Sequence, residues 1–419
     1  MKTFDKIVLA YSGGLDTTVA IPWLKEQTGA EIVAFGVDVG QPDDLDAAVE
    51  RALASGACEA SFLDAKAEYV ARFLHPAIKA NALYEGVYPL LSALSRPLIV
   101  EKLVEKAHAC GADAVAHGCT GKGNDQVRFE MSLAALAPDL PVLAPARLWG
   151  FTRDDSMAYA RAHGLAVGDG KAPPFSIDEN LWGRAVECGV LEDAWVEPPA
   201  EAFQITADPL DAPGEPAALT LDFIQGVPSA LNGVPMDPLA LVVEAGTIAG
   251  AHGIGRIDHV ENRTVGIKSR EVYECPAASV LLEAHKALEA TVLTKDVAAF
   301  KANVDGLWAE AAYAGKWHSP LRRALDAFIQ STQIPVTGSV RLKLFKGHAS
   351  VTGRKSPWSL YDEGLATYGD GDPFDHGASE GFIKIVSMEA STLAKTAGIP
   401  SPALEVQSHE ACALAQPVA

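Results

Sequence analysis

Up to roughly residue 170, short apolar runs alternate with longer stretches in which apolar residues recur at helical spacing. The apolar runs have the length and β-branched content of buried strands, and the spacing between them predicts amphipathic helices. The predicted strands are Ile7–Ala10, Glu31–Val37, Ser61–Leu63 and Asp113–His117, and the predicted helices are Leu15–Glu26, Asp44–Ser55, Lys66–Ala80, Arg96–Ala109, a segment ending at Leu136, and Thr152–His163. This alternation is typical of an α/β domain, in which a twisted parallel sheet is covered by helices on both faces.

After residue 170 the pattern becomes mixed, which predicts a second, α+β domain and a tail helix. Lys171–Pro174 reads as a loop, Asn232-Gly233 as a tight hairpin turn, and Gly347 as the centre of a second hairpin. The other predicted elements are a strand at Leu219–Gln225, helices near 237–250, 277–293 and 296–314, and a tail helix at Ser387–Ala397. Because 419 residues exceed what one hydrophobic core usually supports, we expect domains at 1–168 and 169–365 and a C-terminal segment at 366–419.

Charge and cysteine content limit which macromolecules the chain is expected to bind and which cell compartment it is expected to occupy. The chain has 34 basic and 54 acidic residues, a net charge of −20, which disfavours wholesale binding of nucleic acid or an anionic membrane. Its six cysteines form no C-x-x-C pair, and their sparseness fits a reducing cytoplasm. No apolar run approaches 18 residues, so we expect no membrane span.

The first chemical motif lies in the turn between the first strand and the first helix, Ser12-Gly13-Gly14-Leu15-Asp16-Thr17. Backbone N–H groups converge at such a helix N-terminus, and adjacent glycines let a phosphate approach the backbone closely. The turn lacks the Gly-Lys-Ser/Thr of the loops that bind a γ-phosphate. It resembles the loop of ATPases that split ATP between the α and β phosphates, which implies an adenylate and pyrophosphate as products.

The second motif follows the strand Asp113–His117 and runs from His117 to Glu130 (H-G-C-T-G-K-G-N-D-Q-V-R-F-E). The carboxyl ends of strands in an open α/β sheet are where ligands bind. Asn124 and Arg128 are four residues apart and share one helical face. An aspartate side chain can pair with an ammonium and an arginine with a carboxylate, so this segment suits an amino acid.

With these two motifs the chain resembles the argininosuccinate synthase family of N-type ATP pyrophosphatases. The resemblance runs from about residue 6 to residue 395. It is also carried by Tyr88–Pro97, Ser176–Asn180, Gly255–Asp258, Val260–Arg263, Lys268–Glu274, Trp317–Pro320 and Ser359–Tyr361.

The resemblance implies an ATP-dependent ligase that condenses citrulline with aspartate and contributes to arginine biosynthesis. The ureido oxygen of citrulline attacks the α-phosphate to give citrullyl-adenylate, and the aspartate amine then displaces AMP. No nucleophile or base of the enzyme is implied. The family pattern assigns ATP to Ala10, Tyr11, Ser12, Gly13, Gly14, Leu15, Asp16, Thr17, Thr18, Val37 and Gly118, citrulline to Tyr88, Asn124, Arg128, Ser176, Glu261 and Tyr273, and aspartate to Thr120, Asn124 and Asp125.

The resemblance also implies Mg²⁺ with the ATP, a synthetase role for 169–365, and a homotetramer in which the C-terminal segment reaches a neighbouring subunit. No metal site made by the protein itself is expected. Two citrulline positions depart from the pattern of animal members, because alanines stand at 93 and 185 in place of serines. Ser92, one position earlier, is a candidate to contact substrate instead.

Two rival interpretations were weighed. The first is another enzyme of the same loop class. A tRNA thiolase would need catalytic cysteines and a basic face that binds RNA. An amidotransferase would need a glutaminase domain with its own nucleophile. The chain shows neither feature. The other is a nucleotide-binding regulatory module, which would leave ATP intact and would not need the polar strings between 171 and 365.

Overall fold

The computed structural model describes residues 4–166, 175–369 and 372–397. The chain divides into two compact units, residues 1–360 and 361–419. The predicted loop Lys171–Pro174 lies outside the described residues.

A five-stranded sheet with the order β3-β2-β1-β4-β5 forms the first part of the larger unit. Its strands are β1 (Lys6–Ala10), β2 (Glu31–Asp38), β3 (Glu59–Asp64), β4 (Ala114–His117) and β5 (Val142–Leu143), and all pair in parallel. The helices are α1 (Leu15–Thr28), α2 (Leu45–Ala54), α3 (Lys66–Tyr69), α4 (His75–Lys79), α5 (Leu91–Cys110), α6 (Asn124–Leu136), α7 (Pro145–Leu148) and α8 (Arg153–Ala162), with a π-helical turn at Val70–Leu74 between α3 and α4. The predicted α/β class is confirmed.

The position of β1 determines where a ligand can bind. β1 lies between β2 and β4, so the chain moves outward in opposite directions on its two sides. A crevice forms at the carboxyl ends of strands where the order reverses in this way. Ile7, Val8 and Leu9 of β1 are completely buried, as expected for a central strand covered on both faces. Both predicted motifs follow strands that border this reversal, one after β1 and one after β4.

The rest of the larger unit contains two antiparallel sheets. Its strands are β6 (Ser176–Asn180), β7 (Gly183–Glu187), β8 (Ala217–Ile224), β9 (Val227–Leu231), β10 (Val234–Pro235), β11 (Arg256–Asn262), β12 (Lys268–Glu274), β13 (Gly338–Phe345) and β14 (His348–Lys355). One sheet has the order β10-β9-β8-β13-β14 and the other β11-β12-β7-β6. Asn232 and Gly233 both have positive φ, 52° and 79°, which confirms the predicted tight turn between β9 and β10.

Helices join these sheets into one unit. The later helices are α9 (Pro238–Ala251), α10 (Pro276–Val292), α11 (Lys295–Tyr313) and α12 (Pro320–Thr332). α5 contacts β1 and β4 of the parallel sheet and also β6 and β7 of the four-stranded sheet. This shared helix brings the carboxyl ends of β1 and β4 close to β6, β7, β11 and β12.

The smaller unit contains α13 (Glu363–Ala366), α14 (His376–Val386) and α15 (Met388–Ala397). The predicted tail helix is therefore present, preceded by a second helix that the sequence pattern did not reveal. In the part of the chain that the structure describes, every helix is too short or too polar to span a bilayer.

Candidate active site

The loop after β1 has the geometry of an anion-binding turn. Gly13 has φ +81°, a conformation that favours glycine, and Gly14 forms the N-cap of α1 without a side chain to cap it. The hydroxyls of Ser12 and Thr17 are 3.2 Å apart, as are those of Tyr11 and Thr18. The first N–H groups of α1, which have no partners within the helix, thus lie beside the hydroxyls of Ser12 and Thr17.

Two further features surround this loop. Arg51 of α2, which the sequence reasoning did not select, reaches it: its Nη2 atom is 3.3 Å from where a Cβ on Gly13 would lie. Val37, which the resemblance assigns to the adenine side, is buried near the carboxyl end of β2, the strand that pairs with β1.

The two glycine-rich loops touch each other. A Cβ added to Gly118, just after β4, would lie 2.9 Å from Cγ2 of Thr17, closer than real Cβ contacts come. Glycine at 118 therefore permits the approach. Gly118 also lines a cavity of about 230 Å³, so the phosphate loop and the cavity share a border.

This cavity brings together every residue that the sequence analysis predicted for citrulline or aspartate. They are Tyr88, Thr120, Asn124, Asp125, Arg128, Ser176, Glu261 and Tyr273. The cavity is also lined by Ser92, Cys119, Gly123, Asp178, Ala185, Glu187, Arg263 and Glu271. Ser92, the suggested substitute contact, donates its hydroxyl hydrogen to Asp178.

One side of the cavity is organised by two guanidinium groups around Asp125. Arg96 donates from Nε and Nη2 to Asp125 Oδ2 at 2.9 and 2.7 Å, and Arg128 donates to Oδ1 at 2.9 Å. Burial would raise the pKa of Asp125, but the two cations outweigh it and lower it to about 2. The sequence motif predicts Asp125 and Arg128 as separate partners for a ligand, whereas in the fold they pair with each other. Arg96 extends the pair to Asp178 at 2.7 Å.

A second part of the lining carries an excess of carboxyl groups. Glu187, Glu261 and Glu271 line it with one guanidinium, that of Arg263, which pairs with Glu187 and lies 3.0 Å from Glu271. Three carboxyl groups around one cation make this end of the cavity attractive to a ligand ammonium.

Hydrogen bonding indicates that Glu271 is protonated. The Tyr273 hydroxyl lies 2.8 Å from Glu261 and 3.0 Å from Glu271, but it has only one hydrogen to donate. If Tyr273 donates to Glu261, Glu271 must supply the hydrogen of the second contact. Burial raises the pKa of Glu271 to about 8, with Glu261 and Glu187 adding to the rise and Arg263 opposing it.

Substitution of Glu271 is expected to change the pH dependence of stability. A pKa raised from 4.5 to about 8 in the fold contributes stability that is fully present below pH 4.5 and is lost as pH rises toward 8. Glu271→Gln removes this loss, so without substrate the variant should gain on the unsubstituted protein by roughly 2–3 kcal/mol between pH 6 and pH 9. Thermal unfolding at both pH values measures the gain. Parallel pH profiles would show that Glu271 does not titrate there.

The aromatic wall of the cavity is rigidly packed. The ring of Tyr88 stacks on that of Tyr273 with centroids 4.4 Å apart, and its hydroxyl accepts the N–H of Ser92 at 3.0 Å.

Burial raises the pKa of the Cys119 thiol, which keeps this cavity residue protonated and weakly nucleophilic.

Comparison with known proteins identifies the family. The model of the arginosuccinate synthase N-terminal HUP domain matches residues 6–166, and that of the arginosuccinate synthase C-terminal domain matches residues 175–393. The chain belongs to the argininosuccinate synthase family.

Curated relatives within this family are similar over nearly their whole length. The argininosuccinate synthase of Geobacillus thermodenitrificans is 56% identical over 91% of this chain and 94% of its own. That of Gloeobacter violaceus is 56% identical over 91% and 96%, respectively. Among solved structures, a U34-tRNA thiolase from Methanococcus maripaludis is 17% identical over 41% of this chain and 60% of its own, with a TM-score of 0.28, too low to support an argument.

Several residues of the site were missed in the sequence analysis although family strings contained them. Arg96 lies in Tyr88–Pro97, Arg263 in Val260–Arg263 and Glu271 in Lys268–Glu274. The sequence signal that could have found them is a charged residue inside an otherwise apolar or patterned string. Such a residue needs a partner if the fold buries it. Glu187 lies in none of these strings, and only the fold reveals it.

Proposed function

We propose that the chain carries out the reaction of its family in this cavity, with ATP on the loop after β1. The observation that carries the proposal is the contact between Gly118, which borders the cavity, and Thr17 of the phosphate loop. A zwitterionic amino acid in the cavity would thus lie next to an α-phosphate. The Arg128 guanidinium suits its carboxylate, and the carboxyl groups of Glu187, Glu261 and Glu271 suit its ammonium.

The proposed reaction has two displacements. The ureido oxygen of citrulline attacks the α-phosphorus, and the bond between that phosphorus and the pyrophosphate oxygen breaks. The aspartate nitrogen then attacks the ureido carbon, the carbon–oxygen bond to AMP breaks, and the amine loses a proton. Neither displacement needs a covalent bond to the protein, so orientation of the substrates and stabilisation of charge account for the catalysis.

The proposed residue roles are those of the family pattern. ATP is assigned to Ala10–Thr18, Val37 and Gly118, with Arg51 added as a neighbour of the phosphates. Citrulline is assigned to Tyr88, Asn124, Arg128, Ser176, Glu261 and Tyr273, and aspartate to Thr120, Asn124 and Asp125. Asp125, ionised and fixed by two guanidiniums, is suited to accept the aspartate ammonium.

Magnesium is expected to arrive with ATP as part of the substrate. The described residues contain no group of three or more His, Cys, Asp or Glu that could hold a metal ion by itself. Asp16, in the first turn of α1, gives the loop a carboxylate, which suits an ion held mainly by phosphate oxygens and water. We further assign the enzyme to the cytoplasm.

Measuring the fate of the nucleotide tests this function. Purified protein is given ATP and Mg²⁺ with citrulline and aspartate added separately and together. We expect pyrophosphate release to require citrulline, and argininosuccinate and AMP to form when aspartate is also present. A binding module would leave ATP intact, and release without citrulline would point to a different acceptor.

We further propose that the chain forms a homotetramer through its C-terminal segment. The apolar side chains of α14 are exposed, including Phe382 at 67%, Ile383 at 62% and Ile385 at 70%. A helix with such a face is suited to pack against a second copy of the chain.

Truncation is expected to abolish the tetramer. A chain ending at Tyr368 lacks α14 and α15 and therefore loses this apolar face. Light scattering should give a particle mass of fewer than four chains for the shortened protein and of four chains for the full-length protein. A tetramer mass for both would rule out a role for the segment in assembly.

A further inference from the structure

Tyr313, at the end of α11, touches three of the residues assigned to citrulline although it does not line the cavity itself. Its hydroxyl accepts from Asn124 Nδ2 at 2.8 Å and donates to Glu261 Oε1 at 2.6 Å. Its backbone carbonyl accepts from Arg128 Nε at 3.0 Å. Only 1% of Tyr313 is exposed.

The direction of these hydrogen bonds follows from the neighbouring contacts. Asn124 Oδ1 accepts the backbone N–H of Thr264 at 2.9 Å, which orients the Asn124 amide so that its NH₂ group faces Tyr313. The Tyr313 hydroxyl therefore accepts from Asn124 and must give its own hydrogen to Glu261. Because Tyr273 donates to the other oxygen of Glu261, both oxygens act as acceptors, as in an ionised carboxylate.

Packing fixes the ring and the chain that follows it. The Tyr313 ring stacks on that of Tyr84 with centroids 3.5 Å apart and planes within 3° of parallel. Gly315 has φ +75°, and a Cβ there would lie 2.9 Å from Cα of Arg128. The turn after α11 is thus pressed against α6, and the hydroxyl has little freedom to leave Glu261.

We propose that Tyr313 is a positioning residue for citrulline, which holds the Glu261 side chain in place and ties it to Asn124 and Arg128. This inference rests on the proposed function, since it concerns the same site. The segment Trp317–Pro320, one of those that carry the family resemblance, begins two residues after Gly315. Trp317 stacks on Phe73 at 4.6 Å and anchors the turn.

Tyr313→Phe removes the hydroxyl and keeps both the ring stack and the backbone carbonyl. Loss of a hydrogen bond to a charged group should raise KM for citrulline by roughly 10-fold, with KM for ATP changed by less than about 2-fold. Tyr159→Phe is the matched control. It also removes a phenol that donates to a glutamate, Glu26 at 3.0 Å, but it lies on α8 and away from the cavity. Its kinetic constants should be unchanged.

A double-mutant cycle with Glu261→Gln tests whether Tyr313 acts through Glu261. If it does, the two substitutions together should raise KM for citrulline hardly more than Glu261→Gln alone. The rise in thermal midpoint that citrulline produces without ATP should also be smaller in Tyr313→Phe, which gives a reading that does not depend on turnover.

Three results would overturn the inference: an unchanged KM for citrulline in Tyr313→Phe, an equal rise in KM for ATP, or fully additive effects in the cycle. The proposed function fails separately, because in that case the unsubstituted protein itself shows no citrulline-dependent pyrophosphate release.

Discussion

Gly13→Ala is expected to lower kcat/KM for ATP by on the order of 100-fold, because a small displacement of a phosphate-binding backbone has effects of that size. Gly13 has φ +81°, and an added Cβ would lie 3.1 Å from Cβ of Ala48 and 3.3 Å from Nη2 of Arg51. The Arg51 guanidinium can swing aside, but the contact with Ala48 and the positive φ push the loop away from α2, and its N–H groups then move away from the phosphates. Steady-state rates at varied ATP and saturating citrulline and aspartate measure the loss.

Gly29→Ala separates this local effect from ordinary backbone strain. Gly29 ends α1 with φ +77°, so an alanine there carries a similar penalty of about 1–2 kcal/mol, but its Cβ would meet no atom within 4 Å. We expect this control to lower the thermal midpoint and to leave kcat/KM for ATP unchanged. Equal kinetic losses in both variants would mean that strain in α1, and not displacement of the loop, explains the result for Gly13.

Asp125→Ala is expected to reduce argininosuccinate formation by on the order of 1000-fold, because it removes a charged partner of the aspartate ammonium and leaves Arg96 and Arg128 without their shared carboxylate. Formation of the adenylate should fall less, by roughly 10-fold, since Arg128 keeps its bond to the Tyr313 carbonyl. Single-turnover pyrophosphate release without aspartate measures the first step, and argininosuccinate formation measures both.

Asp125→Asn distinguishes charge from shape at this position. Its amide oxygen can accept from only one of the two guanidiniums, because the NH₂ group then faces the donors of the other, so adenylation should fall no further than in Asp125→Ala. The aspartate-dependent step should stay defective, because a neutral amide attracts an ammonium only weakly. Equal loss of both steps in this variant would contradict the assignment of Asp125 to aspartate.

The elements that the sequence predicted well are those whose burial is continuous. β1 carries Ile7, Val8 and Leu9 with no exposure, and its apolar run is visible in the sequence. The four-stranded sheet was missed because its strands face the cavity with charged side chains. In β12, Glu271 and Tyr273 point to the site where apolar residues would mark an ordinary strand, and in β11 Glu261 is 1% exposed. Hydrophobic alternation cannot reveal a strand whose buried face is polar.

The residues of the candidate site likewise divide into those that a local motif predicts and those that only the fold brings together. Residues such as Asn124 and Arg128 could be selected because they share one short motif and one helical face. Tyr313 could not, because it follows Asn124 by 189 residues and meets it only in the fold. The pairing of Asp125 with Arg96 likewise depends on how α5 packs beside α6, which no local pattern encodes.

Transfer of oxygen from citrulline to AMP is the measurement that tests the central claim most directly. Citrulline labelled with ¹⁸O in its ureido group is incubated with the protein, ATP, Mg²⁺ and aspartate, and the AMP is examined by mass spectrometry. If the ureido oxygen attacks the α-phosphorus, each AMP should carry one labelled oxygen and the pyrophosphate none. AMP without label, with its new oxygen taken from water, would show that ATP is merely hydrolysed and would contradict a citrullyl-adenylate.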